Sequence, residues 1–187
     1  MKTFAAMVAF CILASGANAA PFEKRLSLQG LTFHVTSANE GSLGTLKIIV
    51  EGLKRPAAPI ARQIDGAVLD AEIADLDANG FPELYVYTQS AGSGSYGTTI
   101  GYASNQNKSV TEIYLPTPEK RDAQGYRGHD AFSIVEQYLV RRFPIYRAND
   151  INAKPTGGLR QIQYRLRPGE AGWILRRTKA LDFPPQE

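Results

Sequence analysis

The decisive stretch is Leu84-Tyr85-Val86-Tyr87-Thr88-Gln89-Ser90-Ala91-Gly92-Ser93-Gly94-Ser95-Tyr96-Gly97, an apolar run followed by small residues. Residues 84–87 are typical of a β-strand, and residues 98–103 predict the strand that returns. Three glycines, three serines and one tyrosine lie between them. A glycine cluster marks an unusual backbone shape or a close approach to another group, and tyrosine is enriched at interfaces. The stretch therefore predicts a β-hairpin whose loop, residues 90–97, is the functional tip.

Short strand-like segments separated by glycine and proline turns continue on both sides of this hairpin. Residues 26–36 alternate around Gly30, which predicts either a pair of strands or one strand with a bulge. Residues 160–166 and 173–179 predict a second hairpin near the end of the chain. No helix of convincing length is predicted. The pattern favours an all-β fold, an antiparallel β-sandwich or barrel-like sandwich with short loops.

The first twenty residues have the pattern of a signal peptide. Lys2 precedes an apolar run at residues 4–14, and Ala17-Asn18-Ala19 offers small residues where a signal peptidase cleaves. The run is too short to span a membrane, so no membrane anchor is expected. We therefore predict that residues 1–20 are removed and that residues 21–187 form a single exported β-rich domain. Cys11 is the only cysteine, and its removal excludes thiol catalysis and disulfides.

Charge is unevenly distributed along the chain. Loss of Lys2 lowers the net charge from +3 to +2, which is too balanced to predict nucleic-acid binding. Residues 62–86 are predominantly acidic, whereas residues 141–179 are rich in arginine. The arginines are either solvated strand faces or a surface that attracts an acidic partner.

Two enzymatic or cofactor interpretations of the loop can be weighed from the sequence. Gly92-Ser93-Gly94-Ser95-Tyr96-Gly97 fits the glycine pattern of a dinucleotide-binding turn, but that site needs a helix where a strand is predicted here. A hydrolase would pair a loop serine with His129 and Asp130. Adjacent residues of an extended chain point to opposite faces, so Asp130 is poorly placed to orient His129. The protein is predicted not to be an enzyme.

A second loop offers oxygen ligands for a cation. Asp75, Asp77, Asn79 and Glu83 occupy positions 1, 3, 5 and 9 of this loop, a spacing that suits calcium. Position 12, where an EF-hand has a bidentate glutamate, is Val86. The alternative is an Asx-type turn that reverses the chain before the next strand. No other metal or cofactor is expected, and a calcium-stabilised exported module that binds glycans or cell-wall fragments is the alternative function.

One short motif and several longer segments are shared with a known family. Ser93-Gly94-Ser95-Tyr96 has the pattern SGxY. The longer segments are Ala74-Asp75-Leu76-Asp77, Pro82-Glu83-Leu84-Tyr85-Val86-Tyr87, Tyr126-Arg127-Gly128-His129-Asp130, Leu139-Val140-Arg141-Arg142-Phe143-Pro144-Ile145-Tyr146 and Pro155-Thr156-Gly157-Gly158-Leu159-Arg160-Gln161-Ile162-Gln163-Tyr164. With these segments, the chain from about Gly66 onward resembles the periplasmic inhibitors of I-type (invertebrate-type) lysozyme.

The resemblance implies a β-rich periplasmic protein, homodimeric, that inserts the loop Ser93, Gly94, Ser95 and Tyr96 into the active-site cleft of an I-type lysozyme. Ser93 and Tyr96 are then the residues expected to make the critical contacts. The family implies no calcium requirement.

Overall fold

The computed structural model describes residues 19–185, which form twelve β-strands and no helix. The predicted signal peptide lies outside the described residues, apart from Ala19 and Ala20. The strands are β1 (Phe22–Leu28), β2 (Leu31–Ser37), β3 (Leu43–Glu51), β4 (Ile60–Asp65), β5 (Ala67–Ala74), β6 (Glu83–Gln89), β7 (Gly97–Ser104), β8 (Val110–Tyr114), β9 (Ala131–Val135), β10 (Tyr138–Pro144), β11 (Leu159–Pro168) and β12 (Trp173–Phe183). In this part of the chain, no helix is long and apolar enough to cross a membrane. The predicted all-β class is confirmed.

The first four strands form a four-stranded antiparallel sheet, sheet A, in which neighbours in sequence are neighbours in space. β1 and β2 are joined by Gln29 and Gly30, both with positive φ (46° and 85°). Two left-handed residues in a two-residue loop match the twist of a hairpin. Residues 26–36 are therefore a pair of strands, not one strand with a bulge.

The remaining eight strands form sheet B in the order β5-β6-β7-β8-β12-β11-β10-β9. Its pairs are antiparallel among the described strands except β8 with β12, which run parallel through Ile113 with Trp173 and Tyr114 with Ile174. The sequence did not predict this parallel pair, and the predicted antiparallel pairing holds at the other pairs of the described strands. After β8 the chain crosses to the opposite edge of sheet B, where β9 is the edge strand. β10, β11 and β12 then add one after another in the direction of β8. β12 is therefore the strand that pairs with the remaining edge of β8, and the two strands run in the same direction.

Strand β6 lies between two cores and is buried on both faces. Leu84 and Val86 point towards sheet A and join the core between the two sheets. Tyr85 and Tyr87 point the other way, into a second core enclosed by the curl of sheet B. The fold therefore combines a sandwich of the two sheets with a barrel-like curl of sheet B, and β6 contributes side chains to both cores. A strand held on both faces is a rigid base for the loop that follows it.

Candidate functional site

The loop at residues 90–96 joins β6 to β7 and is closed by its own backbone. The amide of Ser90 donates to the carbonyl oxygen of Tyr96 (2.9 Å), and the amide of Tyr96 donates to Oγ of Ser90 (3.0 Å). At the tip, the amide of Ser95 donates to the carbonyl oxygen of Gly92 (2.8 Å). The loop is therefore a defined turn at the end of a hairpin, as the sequence predicted.

Three side chains of the loop face solvent, those of Ala91, Ser93 and Tyr96. Ser93 is exposed, and 52% of the surface of Tyr96 remains accessible. The Tyr96 ring is held edge-on against the ring of Tyr126, with centroids 5.7 Å apart. It also lies over Gly94, where a Cβ would come within 2.4 Å of its Cε2 atom. Gly94 therefore leaves room for a large aromatic side chain to stand on the loop while exposing half of its surface.

A segment before β9, residues 126–130, supports the loop from beneath. The amide of His129 donates to the carbonyl oxygens of Gly94 (2.9 Å) and Ser95 (3.1 Å). Gly128 has φ +95°, and a Cβ there would lie 1.9 Å from the Gly94 oxygen. Only glycine fits this close approach of two backbones. The loop and the supporting segment are therefore in direct main-chain contact.

Asp130 connects the supporting segment to β7 and β10. Its carboxylate accepts hydrogen bonds from the amide of Gly97 (2.9 Å), the hydroxyl of Tyr126 (2.6 Å) and Nε of Arg141 (2.7 Å). Nη2 of Arg141 donates in turn to the Tyr126 hydroxyl (2.8 Å). The ion pair is buried, with 7% of the Arg141 side chain and none of the Asp130 side chain exposed. This network holds the start of β7 in place.

The protonation states of the network follow from its packing. The Arg141 guanidinium lies 5.0–5.6 Å from the centroids of three aromatic rings, those of Tyr126, Phe132 and Phe143. Burial lowers the pKa of Arg141, but the charge of Asp130 and the hydrogen bond to it, with smaller contributions from Tyr126 and Tyr164, together leave that pKa raised. Burial, followed by the hydrogen bond to Asp130, raises the pKa of Tyr126. Arg141 therefore stays charged and Tyr126 remains a hydroxyl donor.

A third part of the chain, residues 147–156, contacts the loop from the side. Nδ2 of Asn152 donates to the carbonyl oxygen of Ser93 (2.5 Å). The side chain of Asp150 stabilises this segment by accepting hydrogen bonds from the amide of Arg147 (2.7 Å) and from the amide and hydroxyl of Thr156 (both 2.8 Å). Residues 90–96 are thus held by their own hydrogen bonds and by two separate regions of the chain, residues 126–130 and 147–156.

The histidine and serine residues do not form a catalytic arrangement. Nε2 of His129 lies 3.3 Å from Oδ1 of Asn152, whereas the Asp130 carboxylate binds Arg141 and Tyr126. The two neighbouring side chains therefore have different partners, although His129 has a positive φ of 59° and precedes β9, so the extended geometry assumed from the sequence is absent here. No carboxylate orients His129 among residues 19–185.

The predicted cation loop lies at the opposite end of β6. Amide hydrogens of Asn79 and Gly80 bond to the two oxygens of Asp75 (2.9 and 2.8 Å), and the amide of Leu76 bonds to Oε2 of Glu83 (2.7 Å). The predicted Asx-type turn is present, because the amide of Asn79 also donates to Asp77 (3.2 Å). Burial raises the pKa of Glu83 to about 8.

The sequence predicted the loop but not what holds it. Asn152, Arg141 and the supporting role of Asp130 were missed. Asn152 is separated from Ser93 by 59 positions, and an asparagine in a polar turn gives no signal of a distant partner. Asp130 was considered only as a neighbour of His129.

Together these features define an all-β protein that presents a stiffened loop with an exposed serine and a half-exposed tyrosine. Comparison with protein-family models gave no match, and comparison with curated proteins gave none either.

Proposed function

We propose that the protein is an exported, periplasmic inhibitor of I-type lysozyme that acts by occlusion and not by catalysis. In this proposal residues 93–96 enter the active-site cleft and block peptidoglycan hydrolysis. The observation that carries the proposal is the loop itself, in which Ser93 and Tyr96 are presented to solvent by a backbone held by its own hydrogen bonds and by two distant segments. The resemblance of the chain to the inhibitor family supplies the target.

The chemistry of the Ser93 and Tyr96 side chains suits such a cleft. Glycosidases cleave their substrate with paired carboxyl groups beside recesses shaped for sugars. The Ser93 hydroxyl donates to a carboxylate without bringing a second charge into the interface, which avoids a large desolvation cost. The Tyr96 ring fills a sugar subsite, and its hydroxyl remains free to bond at the rim.

The rigidity of the loop favours tight binding. Ordering a flexible loop on association costs about 0.5–1.5 kcal/mol for each immobilised side chain, in addition to the backbone cost. Here the carbonyl oxygens of Ser93, Gly94 and Ser95 already accept hydrogen bonds from the protein. Most of the ordering cost is therefore met during folding.

The charge beside the loop is complementary to an acidic cleft. Arg147 is exposed at the start of the segment that contacts Ser93, and Nη1 of Arg127, in the supporting segment, donates to the carbonyl oxygen of Asp150 (2.7 Å). Lys154 is exposed on the same segment. The Asp150 carboxylate is engaged in internal hydrogen bonds, which lower its pKa. The positive charge speeds association with a negatively charged partner.

An inhibition assay of the purified protein against lysozymes of the I, C and G types tests the proposal. We expect inhibition of the I-type enzyme at a stoichiometry of one loop per active site, with no turnover of peptidoglycan by the protein alone. Size-exclusion chromatography of the mixture should show a complex. Absence of inhibition of any I-type lysozyme, at concentrations well above those of the enzyme, would refute the proposal.

Replacing Asn152 with alanine is expected to weaken inhibition by roughly fivefold, because the loop loses one hydrogen bond of about 1 kcal/mol. Asn152 donates this hydrogen bond to the carbonyl oxygen of Ser93, so the variant loosens the backbone of a residue proposed to contact the lysozyme. Asn152 is exposed, and the melting temperature should therefore fall by no more than about 3 °C. Asn149→Ala, an exposed asparagine of the same segment, is the matched control and should inhibit normally. Equal inhibition by both variants would contradict this role.

A further inference from the structure

Three carboxylates converge at the turn between β5 and β6, at the opposite end of β6 from the loop at residues 90–96. Ligand oxygens of Asp75, Asp77 and Glu83 all lie within 4.8 Å of one another. Glu83 is buried, with 1% of its surface exposed, and the other two are half-buried. Among residues 19–185, none of the ion pairs involves these three carboxylates. Ionised carboxylates this close would repel one another, and a bound cation would neutralise that repulsion.

A second observation at this turn points to a ligand. Tyr85 lies two residues after Glu83 on the same face of β6 and is completely buried. Its hydroxyl makes no hydrogen bond of ordinary geometry, although it lies close to the Glu83 side chain. A buried hydroxyl without a partner is rare in folded proteins and is often explained by an ion or water beside it. Here the hydroxyl that lacks a well-formed hydrogen bond lies beside the most deeply buried carboxylate of the cluster.

We propose that Asp75, Asp77 and Glu83 bind one calcium ion. The donor set consists of carboxylate oxygens, with no histidine or cysteine, which suits a hard cation and disfavours zinc. Calcium accepts irregular arrangements of oxygen ligands, whereas magnesium requires a near-ideal octahedron. The Tyr85 hydroxyl then has a role as a donor to the Glu83 carboxylate once the cation has oriented that group.

The bound ion stabilises the folded protein. Nε2 of Gln29, in the β1–β2 turn of sheet A, donates to Oδ2 of Asp75 (2.8 Å). The carbonyl oxygen of Gln29 accepts a hydrogen bond from Nδ2 of Asn107 (3.0 Å), which follows β7 in sheet B. An ion bound to Asp75 therefore reinforces the end of the molecule where the two sheets meet. This inference does not depend on the proposed lysozyme target.

Calorimetric titration of the chelator-treated protein with calcium chloride, up to about 10 mM, tests the site because extracellular calcium sites reach dissociation constants of roughly 0.1–1 mM. We expect one ion per chain. Calcium at 100 times its dissociation constant should raise the melting temperature by roughly 5–10 °C. Magnesium and zinc chlorides serve as comparison ligands. Tighter binding of either would overturn the assignment to calcium, and no heat of binding with a shift below about 1 °C would overturn the site.

Glu83→Gln and Asp77→Asn should each abolish the calcium-dependent shift while leaving inhibition of lysozyme unchanged. Asp77 is half-buried, so Asp77→Asn keeps the test valid if the buried Glu83→Gln variant does not fold. Asp65→Asn, which alters an exposed carboxylate of β4, is the control and should retain the full shift. An equal loss in the control variant would mean that calcium acts non-specifically.

Discussion

Replacing Ser93 and Tyr96 together with alanine is expected to raise the inhibition constant for I-type lysozyme by roughly two to three orders of magnitude. Anchors at the centre of an interface typically cost about 2 kcal/mol or more when truncated, roughly thirtyfold each. Both side chains face solvent, so their loss removes little from the folded protein. The measurement is the inhibition constant of the purified variant, together with its melting temperature.

Two single variants sharpen this experiment. Tyr114 is also an exposed tyrosine, with 61% of its surface accessible, but it lies on β8. Tyr114→Ala therefore controls for the general loss of a surface aromatic residue and should inhibit as wild type does. Tyr96→Phe removes the hydroxyl and keeps the ring, so it should retain most of the inhibition if the ring fills a subsite. The loop hypothesis is wrong if the double variant inhibits as strongly as the wild type.

Asp130→Ala is expected to destabilise the protein by about 3–5 kcal/mol, because the variant leaves the Arg141 charge buried without its partner. The carboxylate is fully buried and accepts three hydrogen bonds, including one from the Gly97 amide at the start of β7. For a domain of this size the melting temperature should fall by roughly 10 °C. Thermal unfolding followed by circular dichroism measures the effect.

The control for this variant is an exposed ion pair. Arg25 and Glu51 form a salt bridge in which 53% of each side chain is accessible. Exposed pairs contribute about 0–1 kcal/mol, so Glu51→Ala should change the melting temperature by no more than about 3 °C. If Asp130→Ala and Glu51→Ala were equally stable, the buried network would not support the loop. Asp130→Ala should also weaken inhibition at temperatures where it remains folded, because Gly97 loses a hydrogen bond.

Local patterns in the sequence were sufficient for the fold class. The hairpin of β11 and β12 was predicted from the alternation of residues 160–166 and from the following turn, and the two strands do pair. Alternation is encoded locally, because successive side chains of a strand point to opposite faces. The same reasoning predicted the β6–β7 hairpin and its loop. It did not predict the parallel pair of β8 and β12, because the order of strands depends on where the chain re-enters the sheet.

The sequence by itself thus determined the all-β class, the two hairpins β6–β7 and β11–β12, and the position of the loop at residues 90–96, since each depends on a few neighbouring residues. Only the tertiary structure decided how that loop is held. Asn152 reaches Ser93 across 59 positions, and Arg141 reaches Asp130 from another strand. Such contacts exist only after the sheets have formed, and no local pattern of residue types distinguishes these polar side chains from solvated ones. A loop recognised by its glycines and its tyrosine is therefore shaped by buried charge and hydrogen bonds from distant segments.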